Sequence, residues 1–150
     1  MRTVAQLLAS KASASNVIAP DALVLDALSQ MNSVNLSYLV VKEGEAYRGL
    51  FSERDYARNV VLKGHASNNT MVREVMSVDV PVVQVDESIE RCMQLMSAQR
   101  TRYLIAYEGD RFAGVITIHD LLREVINNRE LVFDSATVSA LVDQHEEGIF

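Results

Sequence analysis

The sequence has little of the chemistry that catalytic and metal sites normally use. It contains one cysteine, Cys92, so it can form neither an internal disulfide nor a zinc site built from several cysteines. His65, His119 and His145 lie far apart and have no cysteine or carboxylate at ligand spacing. It shows no Ser/His/Asp set, Walker loop or dinucleotide glycine fingerprint. We therefore expect no catalytic residues, no metal and no enzymatic activity.

Long apolar runs and basic clusters are also missing. No apolar stretch approaches the roughly 20 residues that cross a bilayer, and the first apolar stretch, within residues 1–9, is too brief for a secretory signal. The net charge is -6, with lysine and arginine scattered, which argues against contacts with many nucleic acid phosphates. The cytoplasm is the expected location, and neither a membrane nor a nucleic acid is an expected partner.

What the sequence does contain is an internal repeat. Residues 17–64 and 82–129 align without gaps at an offset of 65, with eleven identities in 48 positions. Chance would give roughly three identities at ordinary residue usage. Both copies end in a glycine, two apolar residues, a hydroxyl residue and, three positions later, an aspartate. The two copies are therefore expected to fold alike.

Hydrophobic periodicity gives each copy the order strand, helix, strand, strand, helix. The predicted strands are 16–19, 38–42, 47–51, 80–85, 103–107 and 112–116. Asp21 and Asp86 are the predicted N-caps of the first helix in each copy. The other predicted helices are two short lead-ins at 3–10 and 71–77, the helices that follow Ser52 and Thr117, and one at 135–144. The predicted organisation is repeat 1 at 2–64, repeat 2 at 70–129 and a C-terminal helical tail at 130–150.

The Ser52-x-x-Asp55 and Thr117-x-x-Asp120 motifs are the candidate binding residues. A hydroxyl residue at a helix start lies beside free backbone N–H groups, which favour a phosphate together with the helix dipole. The aspartate one turn on offers two oxygens to the hydroxyls of a ribose. The same spacing is typical of a capping box, in which the two side chains only satisfy their own helix end. Recurrence at the same place in both copies favours the ligand.

These features resemble the cystathionine-β-synthase (CBS) domain, present as a tandem pair similar to small stand-alone prokaryotic members. The resemblance covers about residues 2–129 and depends on the unit order, the Gly-turn hairpins, the two endings and the stretches 51–58 and 71–76. It implies an α/β (α+β) fold of two pseudo-symmetric β-α-β-β-α repeats, with the sheets packed together around two clefts. Family members often have proline where this chain has Leu39 and Leu104.

The resemblance further implies a regulatory module that senses an adenosine-containing ligand and associates into a homodimer. AMP, ADP, ATP and NAD are the expected ligands, and S-adenosylmethionine is less favoured. The candidate ligand-binding residues are Ile18, Ala19, Pro20, Tyr38, Ser52, Arg54, Asp55, Val83, Arg102, Tyr103, Thr117, His119 and Asp120. The resemblance places 18–20 and 82–84 at an apolar purine slot with the tyrosines as walls, although both tyrosines suit the core better.

Charge differs between the two copies. Arg54 and His119 lie in the middle of the motifs, where a phosphate would sit, and Arg58 and Arg123 are interpreted as solvated helix charges. Arg102 has the uncharged Ser37 as its counterpart in the first copy. The two clefts are therefore expected to differ in affinity or in the charge of the ligand they take.

An alternative function is a ligand-free assembly module. In that hypothesis the repeats form a rigid dimer, and either the acidic segment 143–147 or the apolar side of helix 53–62 contacts another protein. An enzyme acting on a bound nucleotide is disfavoured, because no motif positions a general base or a nucleophile. The sequence leaves open which nucleotide binds and which protein responds.

Overall fold

The structure, a computed structural model, describes residues 2–12, 15–127 and 135–146. Its helices are α1 (Val4–Ser10), α2 (Val24–Val34), α3 (Glu53–Asp55), α4 (Ile89–Gln99), α5 (Ile118–Asn127) and α6 (Ser135–Glu146). Its strands are β1 (Val17–Ile18), β2 (Tyr38–Glu43), β3 (Ala46–Ser52), β4 (Val82–Gln84), β5 (Tyr103–Glu108) and β6 (Arg111–Thr117). A π-helix, Tyr56–Val61, continues α3, and Val72–Glu74 form a 3-10 turn. The predicted α/β class and the β-α-β-β-α order are confirmed in both copies.

The two sheets have the same topology. In the first copy β1 runs parallel to β2, and β2 runs antiparallel to β3; β4, β5 and β6 repeat this arrangement. Tyr38 lies opposite Ser52, and Tyr103 lies opposite Thr117. The hydroxyl residue of each motif therefore ends the last strand of its sheet, beside the first residue of the middle strand.

The predicted N-caps Asp21 and Asp86 are wrong, because a turn precedes each helix. Ala22 N donates to Ala19 O at 3.2 Å, and Glu87 N donates to Gln84 O at 3.1 Å, so each aspartate lies inside a turn. The residue before α2 is Leu23, which makes no side-chain cap hydrogen bond. The residue before α4 is Ser88, whose hydroxyl accepts from Arg91 N at 3.1 Å.

The chain divides into two compact units, and the lead-in segments decide where they divide. One unit contains the residues up to 12 and those from 81 onward, and the other contains 15–80. Val4 N donates to Glu87 O at 2.9 Å, so α1 joins the second repeat although it precedes the first in sequence. Val72 N donates to Ala22 O at 2.9 Å, so the 3-10 turn joins the first repeat. The packing units thus differ from the sequence repeats at both lead-ins.

Each unit has its own apolar cluster, and each lead-in supplies part of it. Val4 and Leu7 of α1 are buried with Leu104 and Ile116 of the second repeat. Val72 and Val75 are buried in the cluster of the first repeat. Fully burying one such side chain is worth about 1.5–3 kcal/mol, so these faces explain why the lead-ins pack where they do.

The helix predicted at 135–144 is confirmed as α6, which packs against α4 and buries Leu141 completely. The rest of the predicted tail, residues 130–134 and 147–150, and the side chain of Val138 lie outside the described residues. No helix in the described ranges has the length and apolar character needed to span a membrane.

Candidate ligand-binding site

The Ser52-x-x-Asp55 motif forms a capping box at the start of α3. Asp55 N donates to Ser52 Oγ at 3.2 Å, while Ser52 N and Ser52 Oγ donate to Asp55 Oδ2 at 2.9 and 3.0 Å. Glu53 N donates to the Ser37 carbonyl oxygen at 3.0 Å, which ties the helix start to the residue before β2. The hydrogen bonds expected of a capping box are therefore present. Asp55 is buried, with 6% exposure.

The Thr117-x-x-Asp120 motif has the same geometry at the start of α5. Thr117 N donates to Asp120 Oδ2 at 2.9 Å, and Asp120 N donates to Thr117 Oγ1 at 3.2 Å. Ile118 N donates to the Arg102 carbonyl oxygen at 2.9 Å, as Glu53 N does to Ser37 in the first copy. Asp120 is buried at 4% exposure. The duplicated sequence thus builds the same turn twice.

The remaining partners of the two carboxylates differ. Asp55 Oδ1 accepts from Ser77 Oγ at 2.6 Å. Asp120 Oδ1 accepts from Arg123 Nη2 at 2.7 Å, and Asp120 Oδ2 also accepts from Lys11 Nζ at 2.9 Å. An ionised carboxylate offers about four acceptor positions. The capping hydrogen bonds to Oδ2 therefore leave further acceptor positions on both aspartates. A ligand that binds there shares or replaces these partners.

These partners shift the acidity of the two aspartates in opposite directions. Burial raises the pKa of Asp55 above its ordinary value, and the hydrogen bonds from Ser77 and Ser52 only partly offset it. Burial is also the largest single influence on Asp120, but the Lys11 ammonium together with the hydrogen bonds from Thr117 N and Arg123 outweighs it and leaves the pKa of Asp120 below its ordinary value.

The structure brings only some of the candidate residues to the motifs. Tyr38 and Tyr103 lie opposite the hydroxyl residues; Tyr38 is buried and Tyr103 half-buried. Ile18 and Val83 are buried within the two apolar clusters and act as core residues. The sequence-based expectation that they line a purine slot stays a prediction.

The other two candidates for the purine slot, Ala19 and Pro20, lie towards the opposite end of the sheet. Ile18 pairs in parallel with Val41, so the residues after it continue towards the hairpin and away from Ser52. Pro20 O accepts from Arg73 N at 2.9 Å. The residue before β1, Asn16, is at the same end of the sheet as the motif, since its carbonyl oxygen accepts from Val40 N at 2.7 Å.

The basic candidates are distributed unequally. Arg54 is half-buried, His119 is exposed and the Arg102 side chain is buried at 6% exposure. Arg58 is exposed, as expected of a solvated helix charge. The same interpretation of Arg123 is incomplete, because its side chain is 65% exposed and yet its guanidinium donates to Asp120.

Sequence reasoning missed two residues at the motifs, Lys11 and Ser77. Lys11 is 109 positions from Asp120, and Ser77 is 22 positions from Asp55. Lys11 directly follows the first predicted lead-in helix and Ser77 is the last residue of the second, and no packing partner was predicted for either helix. No local pattern connects either residue to its aspartate.

The single cysteine, Cys92, is buried. Burial, together with the nearby Glu87 and Glu90 charges, raises the pKa of Cys92 to about 12, so the thiol stays protonated at neutral pH. Among the residues that the structure describes, no three His, Cys, Asp or Glu side chains are grouped in a way that could hold a metal ion.

The fold and the duplicated motif define a pair of CBS domains. The family profile described as the CBS domain matches residues 14–62 and 72–127, and the chain belongs to this family. A CBS-domain protein from Burkholderia ambifaria MC40-6 has a similar structure, with a TM-score of 0.77 and 34% identity over 89% of this chain and 100% of that one.

Among curated proteins, the mitochondrial CBS domain-containing protein CBSX3 of Arabidopsis thaliana is 33% identical over 112 residues. The match covers 71% of this chain and 54% of CBSX3, so the chain spans about half of that relative's length. The structure of CBSX2 in complex with AMP has the same fold, with a TM-score of 0.62 and 20% identity over 75% of this chain and 88% of that one.

Proposed function

We propose that this CBS-domain pair is a regulatory module that binds an adenine nucleotide or dinucleotide at its Ser/Thr-x-x-Asp turns. The ligands proposed are AMP, ADP, ATP or NAD, with S-adenosylmethionine less favoured. The chain acts by binding rather than by catalysis. Ligand binding changes its conformation or its affinity for a partner, which requires that the ligand bind one conformation more tightly than the other.

The observation that carries this proposal is the equivalence of the two turns. Each places a buried aspartate and a hydroxyl residue at the end of a strand, where a helix begins. A helix end could be capped by an exposed side chain, whereas both copies use a carboxylate that is costly to bury. Diol and phosphate groups are the ligand chemistry that such a turn suits.

The comparisons supply a second line of support. CBSX2, which has the same fold, forms a complex with AMP. The basic side chains of the second copy, Arg102 and Arg123, and Lys11, which contacts Asp120 from outside the copy, suit a phosphorylated ligand. Because the first copy has the neutral Ser37 and Ser77 at the corresponding places, the two clefts are proposed to differ in the ligand charge they favour.

The proposal is tested by thermal unfolding in the presence of millimolar AMP, ADP, ATP, NAD and S-adenosylmethionine. A ligand at 100 times its dissociation constant adds about 2.7 kcal/mol to the unfolding free energy and raises Tm accordingly. Asp55→Asn and Asp120→Asn should each weaken binding at one cleft. Asp21→Asn and Asp86→Asn, which change equivalent exposed turn residues, are the matched controls. Unchanged affinity in the Asp55→Asn, Asp120→Asn double variant would refute the role of the two carboxylates.

A ligand-free assembly module is the second candidate, and exposed apolar residues favour it. Val61 is 54% exposed and its counterpart at the 65-residue offset, Ile126, is 73% exposed; Leu62 is 78% exposed. Such side chains at the ends of equivalent helices suit the homodimer proposed from the family resemblance. Sedimentation of the Asp double variant distinguishes the candidates, because an assembly module dimerises normally with both carboxylates replaced. The cytoplasm remains the proposed location.

A further inference from the structure

Lys11 lies just after α1, and its ammonium reaches the start of α5. Lys11 Nζ donates to the Val115 carbonyl oxygen and to Asp120 Oδ2, both at 2.9 Å. The Lys11 side chain is 25% exposed and the Asp120 side chain 3% exposed. Asp120 Oδ2 also accepts from Thr117 N, so a cation from the segment after α1 is held beside the candidate phosphate position.

The first copy uses a neutral group in the comparable role. Ser77 is the last residue of the other lead-in, and its hydroxyl donates to Asp55 Oδ1. A hydroxyl can rotate to another acceptor when a ligand arrives. The Lys11 ammonium is only half-buried, but its carboxylate is buried, so separating this ion pair is costly unless another anion replaces the carboxylate as the partner of Lys11.

We propose that Lys11 determines the specificity of the second cleft for phosphorylated nucleosides over unphosphorylated ones. This inference rests on the proposed function and adds to it a residue from outside the repeat. A ribose that donates to Asp120 competes with Lys11 for the carboxylate oxygens. A nucleoside brings no anion to replace Asp120 as the partner of Lys11, whereas a nucleoside phosphate does.

The exchange of Asp120 for a phosphate as the partner of Lys11 requires only a short movement of the lysine ammonium. A phosphate bound at the start of α5 lies next to Thr117, whose N–H donates to the same Asp120 oxygen as Lys11. The lysine side chain is flexible enough to move its ammonium from Asp120 to such a phosphate. Arg123, the other cation on Asp120, is 65% exposed, so water replaces its partner readily and it discriminates less.

The experiment is a titration of ¹⁵N-labelled full-length protein with adenosine and with AMP, followed by NMR. The backbone amides of 52–55 report on the first cleft and those of 117–120 on the second. In the wild-type protein, we expect the ratio of AMP affinity to adenosine affinity to be larger at the second cleft. Lys11→Met should lower that ratio about tenfold or more, because AMP loses a charged hydrogen bond and adenosine loses a competitor.

Three further variants complete the test. Lys63→Met removes an exposed lysine elsewhere and should leave the ratio unchanged. Lys11→Arg keeps the cation and should retain the preference, while Lys11→Gln repeats the loss of charge in case the Met variant folds poorly. A wild-type ratio in both Lys11→Met and Lys11→Gln overturns the role of Lys11 while the proposed function stands. If neither ligand shifts the amides of any variant or of the wild type, the proposed function falls, and this inference with it.

Discussion

Asp55 and Asp120 occupy equivalent positions in the two copies, have the same capping geometry and are almost equally buried, yet they differ in their remaining partners. Asp55 receives its hydrogen bonds from the neutral Ser52 and Ser77. Asp120 is bonded to two cations, Lys11 and Arg123. At the first site burial outweighs the hydrogen bonds, whereas at the second the two cations and the Thr117 hydrogen bond together outweigh burial, which is why the pKa shifts have opposite signs. A duplicated motif fixes local geometry, while residues far away in sequence fix its electrostatics.

The two lead-in segments approach their sheets differently, and the space around Gly49 and Gly114 shows the difference. A Cβ at Gly49 would lie 2.8 Å from the Ser77 carbonyl oxygen, and the Ser77 backbone is held by hydrogen bonds to Leu50 in both directions. A Cβ at Gly114 would lie 2.9 Å from Cδ2 of Leu8, a side-chain end that can rotate away.

The largest expected effect is therefore the cost of Gly49→Ala. We expect it to lower the unfolding free energy by about 2–3 kcal/mol, because backbone must move, and Gly114→Ala to cost less than about 1 kcal/mol. Urea unfolding of the two variants measures both values. Equal costs would contradict the difference between a backbone contact and a side-chain contact.

The second comparison replaces each aspartate by its neutral isostere. Asp120→Asn removes the charge that compensates Lys11 and Arg123, and we expect a loss of about 1–2 kcal/mol, limited by the solvent exposure of both cations. Asp55→Asn should change stability by less than about 0.5 kcal/mol, because the amide oxygen can accept from Ser52 while its NH₂ donates to Ser77 Oγ. Urea unfolding at neutral pH, without nucleotide, provides the measurement. A larger loss for the Asp55 variant would show that charge compensation does not distinguish the sites.

The smallest expected effects are in the pH dependence. The lowered pKa of Asp120 means that its contribution is present above the unfolded-state value of about 3.9 and is lost as the pH falls through the folded value. The raised pKa of Asp55 acts in the opposite sense: its contribution is present below about pH 3.9 and is lost as the pH rises through the folded value.

Unfolding curves from about pH 3 to 7 should show these two signs. The deficit of Asp120→Asn relative to wild type should shrink as the pH falls below about 4. Asp55→Asn should instead gain on the wild type as the pH rises above about 4. Profiles that run parallel to the wild type for both variants would contradict the assignment of opposite shifts.

Local patterns predicted most of the fold. The β-prone runs around a glycine turn within 38–51 and 103–116 located the hairpins, and helical spacing around Met31 and Met96 identified the buried helix faces. The Ser/Thr-x-x-Asp spacing identified both turns at the correct helix starts. These features depend on residues close in sequence, whose geometry is set by backbone periodicity.

What the sequence could not provide depends on pairing and packing between distant segments. The strand Val17–Ile18 is too short for its pattern to reveal a register, so the sequence did not show towards which end of the sheet Ala19 and Pro20 lie. The turns before Leu23 and Ser88 displaced the predicted N-caps. Lys11 and Ser77 were missed because no sequence pattern near Asp120 or Asp55 indicates a contact with them.

The position of α1 has a consequence for synthesis of the protein. Its apolar face belongs to the cluster that contains Leu104 and Ile116, so these first residues leave the ribosome about a hundred positions before their partners do. The segment that contains Val72 and Val75, by contrast, emerges soon after the first sheet, whose apolar cluster it joins. The first repeat can thus finish folding during translation. The second unit is complete only when α1, made first, packs against residues that are made much later.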